Sequence, residues 1–285
     1  MKFAQHSRRK YNRRHDGEPR PQGKQADPAK GRERPEGKKD ERMNPEAMQP
    51  FGKALLAYFE GDTAAELTIR RDDGRETPLP VSWFFRDASR FTPVDRAALE
   101  HCAGRVLDAG AGTGLHSLVL QQRGLRVVAI DVSPHAVTVM KRRGLTEVRS
   151  ADVLEFQGGP FDTLLMMGHG IGMVETIDGL DRFLAHARSL IAENGQILLD
   201  SMDVRVTDDA GNLAYQEANR KAGRYIGEIR MQFEFRRQQG PVCGWLQVDS
   251  DTLTDHSALA GWRCAIIHRE TDGNYLARLT QRRRP

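Results

Sequence analysis

Residues 106–114 read Val-Leu-Asp-Ala-Gly-Ala-Gly-Thr-Gly. A short apolar run ends in an acid, Asp108. Three glycines follow at alternate positions, Gly110, Gly112 and Gly114, with Ala111 between the first two. Residues 115–120 can start a helix. Glycine has no Cβ and tolerates positive φ, so a strand–loop–helix of this kind brings backbone N–H groups and a helix N-terminus close to a nucleotide-like ligand. A second acid, Asp131, ends the next apolar run at 127–130. It falls 21 residues after Gly110, where a carboxylate can take ribose hydroxyls.

A dinucleotide fingerprint requires Gly-x-Gly-x-x-Gly. Counted from Gly110, its last position is Leu115; counted from Gly112, it is Ser117. A nicotinamide enzyme is therefore a disfavoured alternative. Asp108-Ala-Gly-Ala-Gly-Thr-Gly instead resembles motif I of the class I S-adenosylmethionine-dependent methyltransferases. The resemblance continues through Ile130-Asp131, Ala151-Asp152-Val153, Phe161-Asp162-Thr163-Leu164-Leu165 and Gly195-Gln196-Ile197-Leu198-Leu199. It implies an α/β, Rossmann-like fold: a mostly parallel seven-stranded sheet with an antiparallel strand near the C-terminus. It also implies S-adenosylmethionine as methyl donor.

The donor's methionine end is then expected at the glycine loop, with Asp108 accepting from its ammonium or fixing the loop. Asp131 and Val132 are expected at the ribose. Asp152 fits the adenine amino group, with the Val153 N–H facing a ring nitrogen. Met167 and Gly168, after the fourth strand, are expected beside the donor. His169 in the same segment is the candidate base near neutral pH, or else a residue that positions the donor. His116 on the first helix reads as structural. Trp83, Phe84 and Arg86 are candidate acceptor contacts: the aromatics by stacking, unless they pack in the core, and the arginine by holding an acidic group. The family's Asn/Asp-Pro-Pro-Tyr/Phe motif and a Pro-Cys nucleophile are both absent after the fourth strand. That argues against exocyclic amines of bases and against cytosine C5 as acceptors.

The elements that must position these residues alternate. Strands are expected near 105–109, 126–130, 146–150, 161–167 and 196–201, and helices near 114–123, 134–143 and 178–193. Ser133-Pro134 supplies a cap and a first-turn proline, and Asn194-Gly195 a helix stop. Such alternation predicts a parallel sheet with helices on both faces. Residues 46–92 read as an N-terminal cap, with a helix over 46–60 and a strand at Leu67 and Ile69. Residues 93–285 read as the methyltransferase domain. Within it, 228–248 form an extra β-hairpin on the substrate side, a helix lies near 251–260, and a closing pair covers 263–268 and 274–279.

Residues 1–42 hold 14 Lys and Arg against 7 Asp and Glu, whereas the rest holds 29 against 32. The basic balance thus belongs to the first segment. Its poverty in apolar residues predicts disorder over 1–45, and its charge admits RNA as a partner. It lacks the apolar core of a signal peptide, and seven acids argue against a mitochondrial presequence. No run approaches the roughly 20 apolar residues of a membrane span. Three widely spaced cysteines without a ligand pattern imply a reduced, cytoplasmic protein without a metal. The expected activity is methyl transfer to an N, O or C atom of a small molecule. The alternatives are an RNA methyltransferase and a donor-binding module without turnover. Oligomeric state is not legible.

Overall fold

The computed structural model describes residues 44–282. The basic segment 1–42, most of the tail expected over 1–45, and Arg283 and Arg284 lie outside them. Among the described residues no helix is long and apolar enough to cross a membrane.

In chain order, a 3-10 turn Pro45–Met48 leads into α1 (Gln49–Phe59), β1 (Glu66–Arg71) and β2 (Glu76–Pro80). Two further 3-10 turns, Val81–Phe85 and Ala88–Arg90, precede α2 (Pro93–His101). Then come β3 (Arg105–Ala109), α3 (Leu115–Gln122), β4 (Arg126–Asp131), α4 (Pro134–Arg142), β5 (Val148–Ser150), β6 (Phe161–Met166), a 3-10 turn Gly170–Val174, α5 (Ile177–Leu190) and β7 (Ile191–Met202). The last elements are α6 (Ala210–Lys221), β8 (Glu228–Phe235), β9 (Gln238–Gln239), β10 (Cys243–Leu246), α7 (Ser250–Leu259), β11 (Trp262–Arg269) and β12 (Asn274–Gln281).

Seven strands form one sheet in the order β11-β12-β7-β6-β3-β4-β5. The five from β7 to β5 run parallel, and β12 runs antiparallel between β7 and β11. The inner strands are apolar on both faces, as strands buried on both sides must be. Leu107, Val128, Ile130, Leu164, Leu199 and Ala277 meet α5 and α7 through Leu180, Phe183, Leu184 and Leu253. Their sequence neighbours on the opposite face, Val106, Val127, Leu165, Leu198 and Leu276, meet α2 and α3 through Val94, Ala98, Leu99 and Leu120.

The helix starts are written locally. Thr92 and Asp95 form a reciprocal capping box on α2, and Ser133 with Pro134 starts α4 as expected. The end of α5 is different from the sequence expectation. The helix stops at Leu190, and β7 begins at Ile191, which pairs with Phe161. The Asn194-Gly195 signal instead falls where the β6–β7 register shifts between Phe161 and Thr163. Strand pairing overrides the local stop.

A second sheet is built from two distant parts of the chain. Strand β8 pairs with β1 on one side and β10 on the other, β2 extends beyond β1, and β9 closes on β8. The N-terminal cap segment and the 228–248 hairpin are thus one antiparallel sheet. Helix α1 packs on its inner face and on α4; Leu55, Leu67, Met231, Phe233 and Ala136 share that core. Helix α6 was not anticipated. It is polar, burying only Tyr215, Gln216 and Asn219, and it is tied to this sheet through Tyr215, whose hydroxyl donates to Asp72 at 2.7 Å and accepts from the Arg230 N–H at 3.0 Å.

Candidate active site

The carboxyl ends of β3, β4, β6 and β7 open into a chamber of about 700 Å³, the place where open parallel sheets bind ligands. One face of the second sheet roofs it. Ile69, Leu79, Ile229, Met231, Phe233 and Trp245 all line the space. They recur at every second position, and the ladder sets Ile69 opposite Phe233 and Ile229 opposite Trp245.

Every sequence-derived site residue lines the chamber except Gly114. Gly114 caps α3 at φ +74°, and a Cβ there would collide with Leu145; its role is to let α3 pack on α4 and the segment after it. Gly112 also has positive φ, +57°, and a Cβ there would meet nothing within 4 Å. The loop at Gly112 is therefore open for a ligand to approach. The Gly110 and Ala111 N–H groups donate to the Ile130 carbonyl at 2.9 and 3.0 Å, which locks the loop to the end of β4. Thr113 donates its hydroxyl to the Phe84 carbonyl, tying the loop to the N-terminal segment.

Asp131 holds the other side of this turn. Its two carboxylate oxygens accept the Gly112 N–H at 2.9 Å and the Ser133 N–H at 2.8 Å. Each oxygen keeps a second acceptor site for a ligand hydroxyl. Burial pushes its carboxyl up to about 6, against the pull of those two N–H bonds. Asp108 is buried and accepts from the Ser117 hydroxyl at 2.6 Å; burial raises its carboxyl too. Asp152 accepts the Leu154 N–H at 2.9 Å and sits with Val153 at the wall beyond β5.

A buried polar cluster flanks Asp108, and sequence reading missed its centre. Asp95 accepts from Arg86 Nη2 at 2.6 Å, His116 Nε2 at 2.8 Å, and the Thr92 N–H at 2.8 Å. Burial pushes the Asp95 carboxyl up, but the bonds from His116, Arg86 and Thr92 outweigh it and hold the group well below the usual range. Because that carboxylate is an acceptor only, His116 Nε2 carries a proton. Arg86 is 6% exposed and its Nε has no hydrogen-bond partner. Arg86 lines the chamber, and its guanidinium carbon lies 4.1 Å from the centre of the Trp83 ring. Of the neighbouring aromatics, Phe84 lines the chamber and packs edge-on against Phe51 at 5.0 Å, while Phe85 stacks on Tyr58 at 4.7 Å.

His169 lies just past β6 with φ 59°, a left-handed conformation costly for a non-glycine residue. Its N–H is held by Asp200 Oδ1 at 2.9 Å, and its Nε2 meets Asn274 Oδ1 at 2.8 Å. Asn274 Nδ2 donates to Asp272, so Oδ1 is the atom facing His169 and Nε2 is the ring nitrogen that donates. Asp200, at the carboxyl end of β7, and Glu270 and Asn274, flanking the β11–β12 turn, complete this end of the chamber. None of these three carried a motif. No group of acids, histidines and cysteines capable of holding a metal occurs among the described residues. The three thiols are unpaired, and burial pushes Cys102 and Cys243 up to about 12.

Residues 106–195 match the family described as Methyltransferase domain. A magnesium-protoporphyrin O-methyltransferase of Rhodobacter capsulatus is 35% identical over 88 residues, 29% of this chain and 39% of that protein. A glycine/sarcosine N-methyltransferase of Aphanothece halophytica is 27% identical over 139 residues, 46% of this chain and 52% of that one. The chain thus spans about half or less of these two curated relatives. A solved structure from Bacteroides fragilis, a SAM-dependent methyltransferase in complex with S-adenosyl-L-homocysteine, aligns with TM-score 0.74 at 31% identity, covering 85% of this chain and 98% of that one. The motif order, the seven-stranded sheet and this near-complete match agree: the chain belongs to the class I S-adenosylmethionine-dependent methyltransferases.

Proposed function

We propose that this enzyme moves a methyl group from S-adenosylmethionine to a nucleophilic atom of a small molecule with an apolar body. The observation that carries the reading is the single chamber that joins the glycine loop to the apolar inner face of the second sheet. The names of relatives include both an O-methyltransferase and an N-methyltransferase, so both atoms occur in the neighbourhood.

The residues present fit the donor. The open loop at Gly112 and the two acceptor sites left on Asp131 suit the ribose; Val132 flanks it. Asp152 and Val153 suit the adenine, and Asp108 the ammonium. The Arg86 guanidinium, which lines the chamber and is held on Asp95, suits a carboxylate, and Arg86 is placed at the donor's amino-acid end rather than at the acceptor. Met167 and Gly168 lie between donor and acceptor. When bound, S-adenosylmethionine supplies an electrophilic methyl on a sulfonium that needs no acid to leave. The chain's task is then alignment and exclusion of water, which supply several kcal/mol. With Nε2–H donated to Asn274, His169 is held in one orientation in the chamber wall. Trp83 and Phe84 frame its mouth.

The test is incubation with methyl-labelled S-adenosylmethionine and a cell extract. The reading expects S-adenosylhomocysteine, label in the small-molecule fraction, and loss of both in Asp131→Ala. Label in RNA or protein overturns it, and donor binding without S-adenosylhomocysteine marks a binding module.

A further inference from the structure

Six carboxylates line the chamber: Asp95, Asp108, Asp131, Asp152, Asp200 and Glu270. The first is consumed by Arg86 and His116, and the next three have donor roles. Asp200 and Glu270 remain. Asp200 is 7% exposed, and its one hydrogen bond is the His169 N–H on Oδ1. Glu270 Oε1 is buried without a hydrogen-bond partner, 3.6 Å from His268 Nε2, which is also unpartnered. Among the described residues no lysine lines the chamber. Its three arginines are each paired with a carboxylate: Arg71 with Asp73, Arg75 with Asp209, Arg86 with Asp95. The acceptor's end of the chamber is therefore apolar above and acidic below, without an unpaired cation.

That arrangement discriminates among acceptors. A carboxylate or phenolate acceptor would bring a negative charge against buried Asp200 and half-buried Glu270, which is unfavourable where water is excluded. An ammonium would be drawn to the same place. Resting on the methyl-transfer reading above, we propose that the acceptor is an amine with an apolar body, methylated at nitrogen, and that Asp200 binds its ammonium and takes its proton, with Glu270 as the second carboxylate.

The step balances. One N–H proton passes to Asp200, freeing the nitrogen lone pair. That pair forms the N–CH3 bond as the C–S bond breaks and its electrons stay on sulfur. The positive charge thus moves from sulfur to nitrogen beside the Glu270 carboxylate and the now neutral Asp200, and Asp200 later sheds its proton to solvent. Burial pushes the Asp200 carboxyl up, partly opposed by His169 and by His116 on α3 and assisted by Asp95 on α2. It accepts a proton more readily than an exposed aspartate.

The experiment is calorimetric binding of three probes of matched body, phenethylamine, phenethyl alcohol and hydrocinnamate, to the full chain saturated with S-adenosylhomocysteine. Saturation is confirmed first, so failure of the donor reading shows separately. The amine is expected to bind at least about tenfold tighter than either partner. Asp200→Asn, which can still accept the His169 N–H, and independently Glu270→Gln, are expected to erase that preference while S-adenosylhomocysteine binding persists. A preference for the acid or the alcohol, no preference among the three, or a preference that survives both substitutions overturns the proposal.

Discussion

The two sheets of this enzyme solve different problems. The seven-stranded sheet is parallel at its centre and covered on both faces, and its strand ends fix the glycine loop and Asp131 to within hydrogen-bond tolerance. The five-stranded sheet is antiparallel and one-sided. Its outer face carries Arg70, Gln232 and Glu234, and its inner face carries Ile69, Met231 and Phe233. The first presents backbone groups and carboxylates to the chamber. The second offers a wall of side chains that can change without touching the donor. The lesson is that the glycine-loop side of the chamber is written in a short contiguous motif, whereas its roof is assembled from segments more than 150 residues apart, as the pairing of Ile69 with Phe233 shows.

Four substitutions or conditions sharpen that contrast, in decreasing order of effect. Arg86→Met leaves Asp95 buried with one cation fewer; it is expected to cost about 3–5 kcal/mol in urea denaturation, and a loss below about 1 kcal/mol would mean the cluster is not a buried pair. Phe233→Ala, in the roof, is expected to cost about 3–4 kcal/mol. Its affinity for S-adenosylhomocysteine should change less than about threefold, because the residues proposed to hold the donor lie off this sheet. A large loss of donor affinity in this variant would break the division of labour.

Gly172→Ala probes the join between the sheets, because a Cβ there would collide with the Trp245 indole. A cost of about 1–3 kcal/mol is expected, with the change in Trp245 fluorescence as the local readout. The smallest effect is on pH. In the proposed donor site, ribose hydroxyls would donate to ionised Asp131, whose carboxyl is raised to about 6. Donor affinity should therefore fall as pH drops below 6, by up to about tenfold per unit. Asp131→Asn should flatten that limb; an unchanged slope would assign it to Asp108 or Asp200.

Much of the glycine-loop side of the chamber was legible in the sequence because its signals are local. A glycine with positive φ, an acid at a strand end and Ser133-Pro134 at a helix start each act within a few residues. The roof was not. Its existence depends on β1 meeting β8, and neither strand records its partner. The strict alternation of Ile229, Met231, Phe233 and Phe235 announced a half-buried strand but not what it faces. Helix α6 escaped because it is anchored by Tyr215 and Asn219 hydrogen bonds and lacks an apolar stripe. Asp95 and Asp200 were invisible for a related reason. A lone aspartate acquires a role only when folding buries it beside Arg86 and His116, or beside His169.

The central claim is that the seven-stranded sheet holds S-adenosylmethionine through Asp131 and does so independently of the roof. The direct measurement is calorimetric titration with S-adenosylhomocysteine of the wild-type chain, Asp131→Ala and Met231→Ala. The account expects a Kd on the order of micromolar for the wild type and Met231→Ala, and a loss of about 100-fold or more in Asp131→Ala, since two hydrogen bonds to a charged group disappear. Unchanged affinity in Asp131→Ala, or binding of NADH in place of S-adenosylhomocysteine, would contradict it.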